Sequence, residues 1–401
     1  MSKNVVFCAD GTWNGPAEVT GVSVTDADDT AGEIKANANN PTNVFTFFSD
    51  LQGHITLATS GSLVELERVA TDDNGAILQA AKYLHGVGDS TNLIIKLLGG
   101  AFGFGIISRI VRGYTYVSRS YSPGDAIYIV GFSRGAYTAR SLAGMICKVG
   151  LLNPATYDPS DKELAYRLGI AAWVKWRRIA LSQGGASIST LADALLTFLE
   201  QFAAADLPPN GLLPNIPIKA VGVWDTVGSL GIPLYAGGAQ LDVFRFADTA
   251  LNPLVENGFH AMAAHEQRAD FPVTTWKARD GIVQEWFVGA HSDVGGGYPA
   301  SESGLSNQAL SWMLRRLVGG GVRLNNPLPY PPLPQNPNQA IHTPWDSPPF
   351  NLLPRAQRPV DRVNDLFHVS VTRRDPLTLP PGPPPLGAQD VGKLRMDPTE
   401  Y

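Results

Sequence analysis

Residues 131–135 read Gly-Phe-Ser-Arg-Gly, a G-x-S-x-G pattern that constrains the fold more than any other feature of this chain. An apolar run at 126–130 precedes it, and a run of small residues typical of a helix follows it. In a strand–turn–helix setting, the turn is so tight that only glycine fits two residues before and two residues after the serine. We therefore predict that Ser133 lies on a strained turn as an exposed nucleophile, supported by Gly131 and Gly135.

A nucleophilic serine requires a general base and an acid that orients the base. Of the seven histidines, His291 has the most distinctive setting, because it follows an apolar-rich run at 283–288 and begins a glycine-rich loop. Asp225 follows the apolar run 218–224 in the same way. The order Ser, Asp, His is that of α/β-hydrolases, and the carboxyl ends of parallel strands meet at one edge of a sheet. The sequence therefore predicts a triad at that edge.

Other assignments of the acid and the base remain open at this point. Asp293 is a rival acid, but it lies only two residues from His291, and we expect it instead to bond backbone N–H groups of the glycine loop. His265 is the reserve candidate for the base. Asp225 alternatively caps a turn, a position that aspartate favours, and His291 alternatively has a structural role only.

An oxyanion hole needs two hydrogen-bond donors. One is expected to be the backbone N–H of Arg134, the residue after the nucleophile. For the second we predict the N–H of Gly11 or Thr12, which follow the apolar run at 4–9, with Asp10 holding that loop. The alternative interpretation of this loop is an ordinary turn.

Three motifs together resemble one known family. Residues 7–14 read Phe-Cys-Ala-Asp-Gly-Thr-Trp-Asn, residues 131–140 contain the serine pattern, and residues 291–298 read His-Ser-Asp-Val-Gly-Gly-Gly-Tyr. They are similar to the DUF2235 family, which includes the Tle1-type phospholipase effectors of bacterial type VI secretion, and the resemblance spans about residues 4–320. It implies an α/β-hydrolase domain, an acyl-ester or lipid substrate, a secretion-apparatus or immunity partner, and a triad at the serine, aspartate and histidine named above.

The expected fold class is α/β, with a mostly parallel sheet flanked by helices. We assign the hydrolase core to residues 1–150 and 216–320. Between nucleophile and acid, residues 151–215 carry two helical patterns, the first with a capping-box signal at Ser160, and we predict a cap over the site. The alternative is a helical pair packed away from the site. Residues 321–401 are expected to form a Pro-rich extended segment packed on the core.

Charge and composition exclude several function classes. Lys and Arg number 31 against 36 Asp and Glu, a net charge of −5 that argues against nucleic-acid binding. We expect Cys8 and Cys147 to be core thiols, and zinc-type spacing is absent. The glycine cluster at 100–105 lacks the spacing and the preceding strand of a dinucleotide fingerprint, so no cofactor and no metal are expected.

Nothing in the sequence predicts a signal peptide or a transmembrane segment. The longest apolar stretch, 93–107, is interrupted by Lys96 and several glycines and is too short to span a bilayer. The first apolar run begins within a few residues of Met1, with no leader pattern before it. We therefore expect a cytoplasmic protein, or one exported without a Sec signal by a type VI-type route.

The leading hypothesis is a serine hydrolase that cleaves carboxylic esters, of lipids or phospholipids by the resemblance, through an acyl-enzyme intermediate. A second hypothesis is a metal-dependent hydrolase that uses Asp10, Asp225, His291 and Asp293 at the strand ends. A third is a non-catalytic relative that acts as a binding module.

Overall fold

The structure of the chain is a computed structural model. It describes residues 2–11, 18–19, 22–23, 40–58, 65–85, 101–183, 196–203, 207–227, 235–236, 239–240, 249–325, 335–347, 350–352, 354–361, 364–374 and 395–396.

A central sheet organises the described part of the chain, and its ten strands are numbered here along the chain. The first five are β1 (Asn4–Ala9), β2 (His54–Ala58), β3 (Glu65–Thr71), β4 (Ile77–Leu84) and β5 (Ala126–Phe132). The other five are β6 (Ile218–Trp224), β7 (Val255–Ala263), β8 (Ile282–Phe287), β9 (Leu366–Phe367) and β10 (Arg395–Met396). Three two-stranded ribbons lie outside this sheet, pairing 18–19 with 22–23, 151–152 with 212–213, and 235–236 with 239–240.

The sheet is mostly parallel, which confirms the predicted fold class. Its order is β10-β9-β8-β7-β6-β5-β1-β4-β3-β2. Neighbouring strands from β4 through β1 to β10 are parallel, whereas β3 is antiparallel to β4 and β2 to β3. The carboxyl ends of β1, β5, β6 and β8 therefore face one edge, where the residues predicted to form the site follow them.

Helices cover both faces of the sheet, as a parallel sheet requires. The α-helices are numbered α1 (Asn43–Asp50), α2 (Ala101–Ser120), α3 (Arg134–Val149), α4 (Lys162–Gln183), α5 (His291–Gly295), α6 (Ser306–Gly319) and α7 (Ser370–Arg373). Residues 196–200 are also helical. Helices α2 and α3 pack on one face, and α1 and α6 pack on the other.

Strand β1 shows why the central strands are apolar throughout. Its side chains alternate between the two faces, so Val5 and Phe7 enter the core under α2 and α3, while Val6 and Cys8 enter the core under α1 and α6. All four are fully buried. Every position of the strand therefore contributes to burial, and the sequence shows a continuous apolar run rather than an alternating one.

The insertion between nucleophile and acid begins with α4, which packs on α2 and α3. Trp173 and Trp176 of α4 are buried in the core on the face of the sheet that α2 and α3 cover. Leu196 and Leu199, from further along the insertion, are buried in the same core. The second helical pattern of the insertion predicts one apolar face made of Leu195, Phe198, Leu199 and Phe202, of which Leu195 lies outside the described residues. The cap role of this insertion stays a prediction.

The start of α4 differs from the prediction. The capping box was expected at Ser160, but the Asp161 carboxylate accepts the N–H of Leu164 at 2.9 Å. The hydroxyl of Ser160 instead donates to Asp158. A carboxylate at this position is favoured because it also faces the positive end of the helix dipole.

The C-terminal segment contributes more regular structure than its composition suggests. Strands β9 and β10 extend the parallel sheet beyond β8. The two proline-rich runs, 327–334 and 380–385, lie outside the described residues. Within the part of the chain that the structure covers, none of the helices has the length and apolar character needed to cross a bilayer.

Candidate active site

Ser133 lies between β5 and α3 with its backbone at φ 57° and ψ −123°, a conformation that few non-glycine residues adopt. The turn is tight on both sides. A Cβ atom at Gly131 would lie 2.3 Å from the carbonyl oxygen of Gly135, and a Cβ at Gly135 would lie 2.1 Å from that of Ala9. Only glycine therefore fits at these two positions. The neighbouring strand also holds the turn, since the N–H of Ser133 donates to Trp224 O at 3.1 Å.

Asp225 and His291 meet in a buried pair beside this turn. Nδ1 of His291 lies 2.5 Å from Oδ2 of Asp225. The imidazole ring also contacts two phenylalanines, with ring centroids 4.6 Å from Phe132 and 5.2 Å from Phe271. Phe132 immediately precedes the serine, so the histidine ring lies next to the turn. An ionised Asp225 holds the proton on Nδ1, which leaves Nε2 as the nitrogen that accepts a proton.

The carboxylate of Asp225 is buried but fully partnered. Burial by itself raises its pKa, yet the guanidinium of Arg358 and the hydrogen bond with His291 outweigh burial and hold the pKa well below its usual range. Arg358 donates to both carboxylate oxygens, and the N–H of Ala263 donates to Oδ1 at 2.8 Å. Asp225 is therefore ionised throughout the physiological pH range.

Burial lowers the pKa of His291, whereas its hydrogen bond to Asp225 and its Coulomb attraction to that residue raise it. Arg268 lowers the pKa further and Glu266 raises it, and the net shift is downward. A neutral imidazole at neutral pH is the form that a general base requires.

The predicted oxyanion loop approaches the serine closely. A Cβ at Gly11 would lie 3.3 Å from the Cβ of Ser133. The N–H of Gly11, however, donates to Oδ1 of Asp10 at 2.7 Å. Thr12, the other predicted donor of this loop, lies outside the described residues. Arg134 is the first residue of α3, where helix N–H groups have no acceptor within the helix.

The carboxylate of Asp10 accepts three hydrogen bonds. Besides Gly11 N, its carboxylate accepts the hydroxyl of Tyr83 at 2.6 Å and that of Thr42 at 2.8 Å. Burial raises the pKa of Asp10 to about 7, although both of these hydrogen bonds lower it. Its oxygen atoms are thus used to fix the chain that follows β1.

Asp293, the rival acid, has different partners. Its Oδ2 accepts the N–H of Ala290 at 2.9 Å, and its Oδ1 lies 2.6 Å from Nδ1 of His342. The carboxylate at hydrogen-bonding distance from the ring of His291 is that of Asp225. The sequence predicts a glycine-rich loop from His291, but residues 291–295 form the short helix α5, and Asp293 links this helix to Ala290 and His342.

His265, the reserve base, is buried, and its Nδ1 accepts the N–H of Gly289 at 3.1 Å. Burial lowers its pKa to about 4. Its neighbour Glu266 is one of the site residues that the sequence did not single out: Oε2 of Glu266 accepts the N–H of His291 at 3.1 Å, and Arg268 donates to both of its oxygens. The segment 265–268 therefore holds the backbone of the chain at Gly289 and at His291.

Of the four residues of the metal hypothesis, Asp225 and His291 bond each other, whereas Asp10 and Asp293 bond to residues outside the set. Asp10 bonds to Tyr83, Asp225 to His291, and Asp293 to His342. Within the residues that the structure describes, no three His, Cys, Asp or Glu side chains are grouped so that they could hold a metal ion.

Comparison with known proteins identifies a family. The family described as "T6SS, Phospholipase effector Tle1-like, catalytic domain" matches residues 3–316. This range covers most of the chain and contains Ser133, Asp225 and His291, but it ends before Arg358. The resemblance inferred from the three sequence motifs is confirmed.

Several individual proteins are also similar to parts of the chain. An uncharacterized protein of Saccharomyces cerevisiae is 30% identical over 177 residues, which are 44% of this chain and 22% of that protein. The solved structure of an uncharacterized protein from Pseudomonas aeruginosa has a TM-score of 0.40 at 16% identity, covering 84% of this chain and 47% of that chain. A solved Tle1 effector bound to the VgrG spike of the type 6 secretion system has a TM-score of 0.37 at 16% identity, covering 75% and 52%. The chain thus spans about half the length of the two solved chains and a smaller share of the yeast protein.

Proposed function

Because the chain belongs to the family of Tle1-like phospholipase effectors of type VI secretion, matched over the catalytic domain, we propose that it hydrolyses acyl esters of lipids with Ser133 as nucleophile. The single observation that carries the proposal is the 2.5 Å contact between His291 Nδ1 and Asp225 Oδ2 beside a serine held at positive φ. A histidine oriented by a carboxylate next to a strained serine is the arrangement that acyl transfer requires.

In the first half of the reaction, Oγ of Ser133 attacks the carbonyl carbon of the ester while Nε2 of His291 takes the hydroxyl proton. Asp225 stabilises the imidazolium that forms, without itself taking the proton. The tetrahedral oxyanion is stabilised by the N–H of Arg134 at the start of α3 and by a second donor from the Gly11–Thr12 loop. The intermediate collapses, His291 protonates the leaving alcohol, and an acyl-enzyme remains.

In the second half, a water molecule gives a proton to His291 and attacks the acyl carbon. The tetrahedral intermediate then collapses, His291 returns the proton to Oγ of Ser133, and the fatty acid leaves. The Gly11 N–H is already bonded to Asp10, which makes Thr12 the stronger candidate for the second oxyanion donor.

The family assignment further supports a secretion-apparatus or immunity partner and delivery without a Sec signal as parts of this proposal.

The test uses purified protein with phosphatidylethanolamine vesicles and with nitrophenyl esters of increasing chain length. We expect the wild type to release fatty acid, and Ser133→Ala to lower the rate by about 10³-fold or more while remaining folded. Ser141→Ala is the matched control, because Ser141 is a buried serine on α3, the helix that follows Ser133. Near-wild-type turnover of folded Ser133→Ala would exclude the serine mechanism.

Ester hydrolysis measured with and without a chelator distinguishes the proposed serine mechanism from the metal hypothesis. Ester hydrolysis by the serine mechanism is expected to be unchanged by EDTA, whereas loss of activity that added metal restores would favour metal-assisted hydrolysis. A wild type without activity on any ester, and without reaction with a fluorophosphonate, would favour the non-catalytic binding module.

A further inference from the structure

Arg358 lies in the C-terminal segment, beyond the residues that match the family, yet its side chain is buried against the predicted catalytic acid. The side chain is 4% exposed and the Asp225 side chain is fully buried. Nη1 donates to Oδ1 of Asp225 at 2.5 Å, and Nη2 donates to Oδ2 at 2.9 Å. The planar guanidinium therefore binds the carboxylate in the two-pronged geometry that only arginine provides.

Two further hydrogen bonds fix the guanidinium itself. Nη1 donates to the carbonyl of Ala263 at 2.8 Å, and Nη2 donates to that of Phe271 at 2.8 Å. Ala263 is the last residue of β7, and its N–H also bonds Asp225. The arginine thus connects the ends of β6 and β7 with the segment that places Phe271 against the ring of His291.

The backbone around Arg358 is anchored to the same part of the core. The N–H of Ala269 donates to Pro354 O at 3.0 Å, and the N–H of Ala356 donates to Gln267 O at 2.8 Å. Residues 354–356 therefore run alongside 267–269, next to the segment that supports His291. This pairing delivers the side chain of Arg358 to the acid.

We propose that Arg358 is a positioning residue for the hydrolytic reaction, which fixes the rotation of the Asp225 carboxylate and limits the basicity of His291. The inference rests on the proposed function. Oδ2 of Asp225 is shared between Nδ1 of His291 and Nη2 of Arg358, whereas Oδ1 is occupied by Arg358 and Ala263. A carboxylate held in this way presents one oxygen to the imidazole in a single orientation.

The charge of Arg358 has a defined effect on the base. Groups facing His291 are the carboxylates of Asp225 and Glu266 and the guanidinium of Arg268, and Arg358 lies behind Asp225. A cation that shares Oδ2 with the imidazole repels the imidazolium and favours its neutral form. Removing that cation therefore raises the pKa of His291, and the acid limb of kcat/KM moves to higher pH.

The experiment compares two variants. Arg358→Met removes both the positive charge and the two-pronged hydrogen bonding to Asp225, whereas Arg358→Lys keeps the charge and loses the two-pronged geometry. Arg355→Met is the control, since Arg355 lies in the same segment and pairs with Asp346 at the surface. The readouts are kcat and the pH profile of kcat/KM with a nitrophenyl ester, the rate of labelling by a fluorophosphonate, and a urea unfolding curve for each variant.

We expect Arg358→Met to lower kcat by about 10²-fold and to shift the acid limb upward by roughly 0.5–1 pH unit. Arg358→Lys is expected to lower kcat by about 10-fold, because an ammonium point charge does not fix the carboxylate as the guanidinium does. It should leave the acid limb in place, because the positive charge is kept. Arg355→Met should match the wild type in kcat and in the position of the acid limb. A merely structural role would alter the unfolding curve and leave the pH profile of the folded fraction unchanged.

Wild-type kcat and an unshifted acid limb in folded Arg358→Met would overturn the inference. If that variant does not fold, wild-type kcat in Arg358→Lys overturns it instead. Both outcomes are distinct from failure of the proposed function, in which the wild type itself is not labelled at Ser133 and Ser133→Ala keeps its activity; in that case both proposals fall.

Discussion

Two residues of the candidate triad have positive φ, which few non-glycine residues adopt. Ser133 has φ 57° and Asp225 has φ 39°. Among the described residues, the only other non-glycine residues with positive φ are Asn210 and Asn215, and asparagine tolerates this region. Aspartate tolerates this region much as asparagine does, so the strain is that of Ser133. It costs about 1–3 kcal/mol and persists where the surrounding structure over-determines it, which is common at active sites.

The lowered pKa of His291 predicts how activity depends on pH. Burial is the main cause of the shift, and the base must be neutral in the free enzyme. Activity is therefore present above the lowered pKa and lost as pH falls through it. We expect the acid-limb midpoint of kcat/KM below about 6.5, the usual histidine value. A midpoint clearly above that value, measured with a neutral nitrophenyl ester, would contradict the burial of this base.

Replacement of each carboxylate separates the two candidate acids. Asp225→Asn removes the group that orients His291, so we predict a fall in kcat of about 10²–10⁴-fold. It also leaves the buried guanidinium of Arg358 without a counter-charge, which is expected to cost about 3–5 kcal/mol of unfolding free energy. Turnover per folded molecule and a urea unfolding curve measure the two effects separately.

The matched variant is Asp293→Asn, which weakens the bonds to Ala290 and His342. We expect it to lower stability by about 1–3 kcal/mol and to keep turnover per folded molecule within roughly tenfold of the wild type. The assignment of the acid is wrong if folded Asp293→Asn is the less active of the two.

At the scale of elements, helix α3 provides a pair of glycines that tests how tightly the serine turn is packed. A Cβ at Gly135 would meet the backbone oxygens of Ala9 and Asp10 at 2.1 and 2.4 Å. We therefore predict that Gly135→Ala destabilises the protein by about 1–3 kcal/mol or more and lowers activity. Gly144→Ala on the same helix is the control, because its Cβ would make an ordinary 3.5 Å contact with Trp176. Alanine there is expected to stabilise the helix by up to about 1 kcal/mol, and equal effects in urea unfolding would contradict this account of the turn.

The elements that position the triad were predictable because their apolar runs are continuous. The run at 4–9 is β1, the run at 126–130 begins β5, and the run at 218–224 is β6. Strand β7 was not recognised, because Glu256, Asn257 and Gly258 interrupt its pattern. Its position in the sheet depends on pairing with β6 and β8, which a local pattern does not encode.

At the scale of the whole molecule, the sequence did not predict the contact between Arg358 and Asp225. Asp225 and Arg358 are 133 positions apart, and an arginine in a proline-rich segment has the pattern of a surface residue. His342 is a similar case, since it reaches Asp293 from 49 positions away. In both cases the position of the residue depends on how the C-terminal segment packs against the core. Composition and periodicity do not determine that packing.

The role of the insertion also belongs to this scale. Leu199 is buried, whereas Phe202 is 39% exposed and its ring lies 5.0 Å from that of Phe198. We expect Leu199→Ser to unfold or strongly destabilise the protein, and Phe202→Ser to remain folded. If the insertion selects acyl chains, Phe202→Ser flattens the rise of kcat/KM with chain length, because each buried methylene contributes about 0.8 kcal/mol. An unchanged profile in the folded variant would assign selectivity to another part of the chain.

The central claim is that Ser133 is the nucleophile of an ester hydrolase, and peptide mapping after reaction with a fluorophosphonate tests it most directly. Wild-type protein and the Ser133→Ala and Ser141→Ala variants are treated alike at neutral pH and digested for mass spectrometry. We predict one phosphonylated residue, Ser133, in the wild type and in Ser141→Ala, with parallel loss of esterase activity, and no adduct in Ser133→Ala. An adduct on another serine, or full inhibition of Ser133→Ala by the same reagent, would contradict the claim.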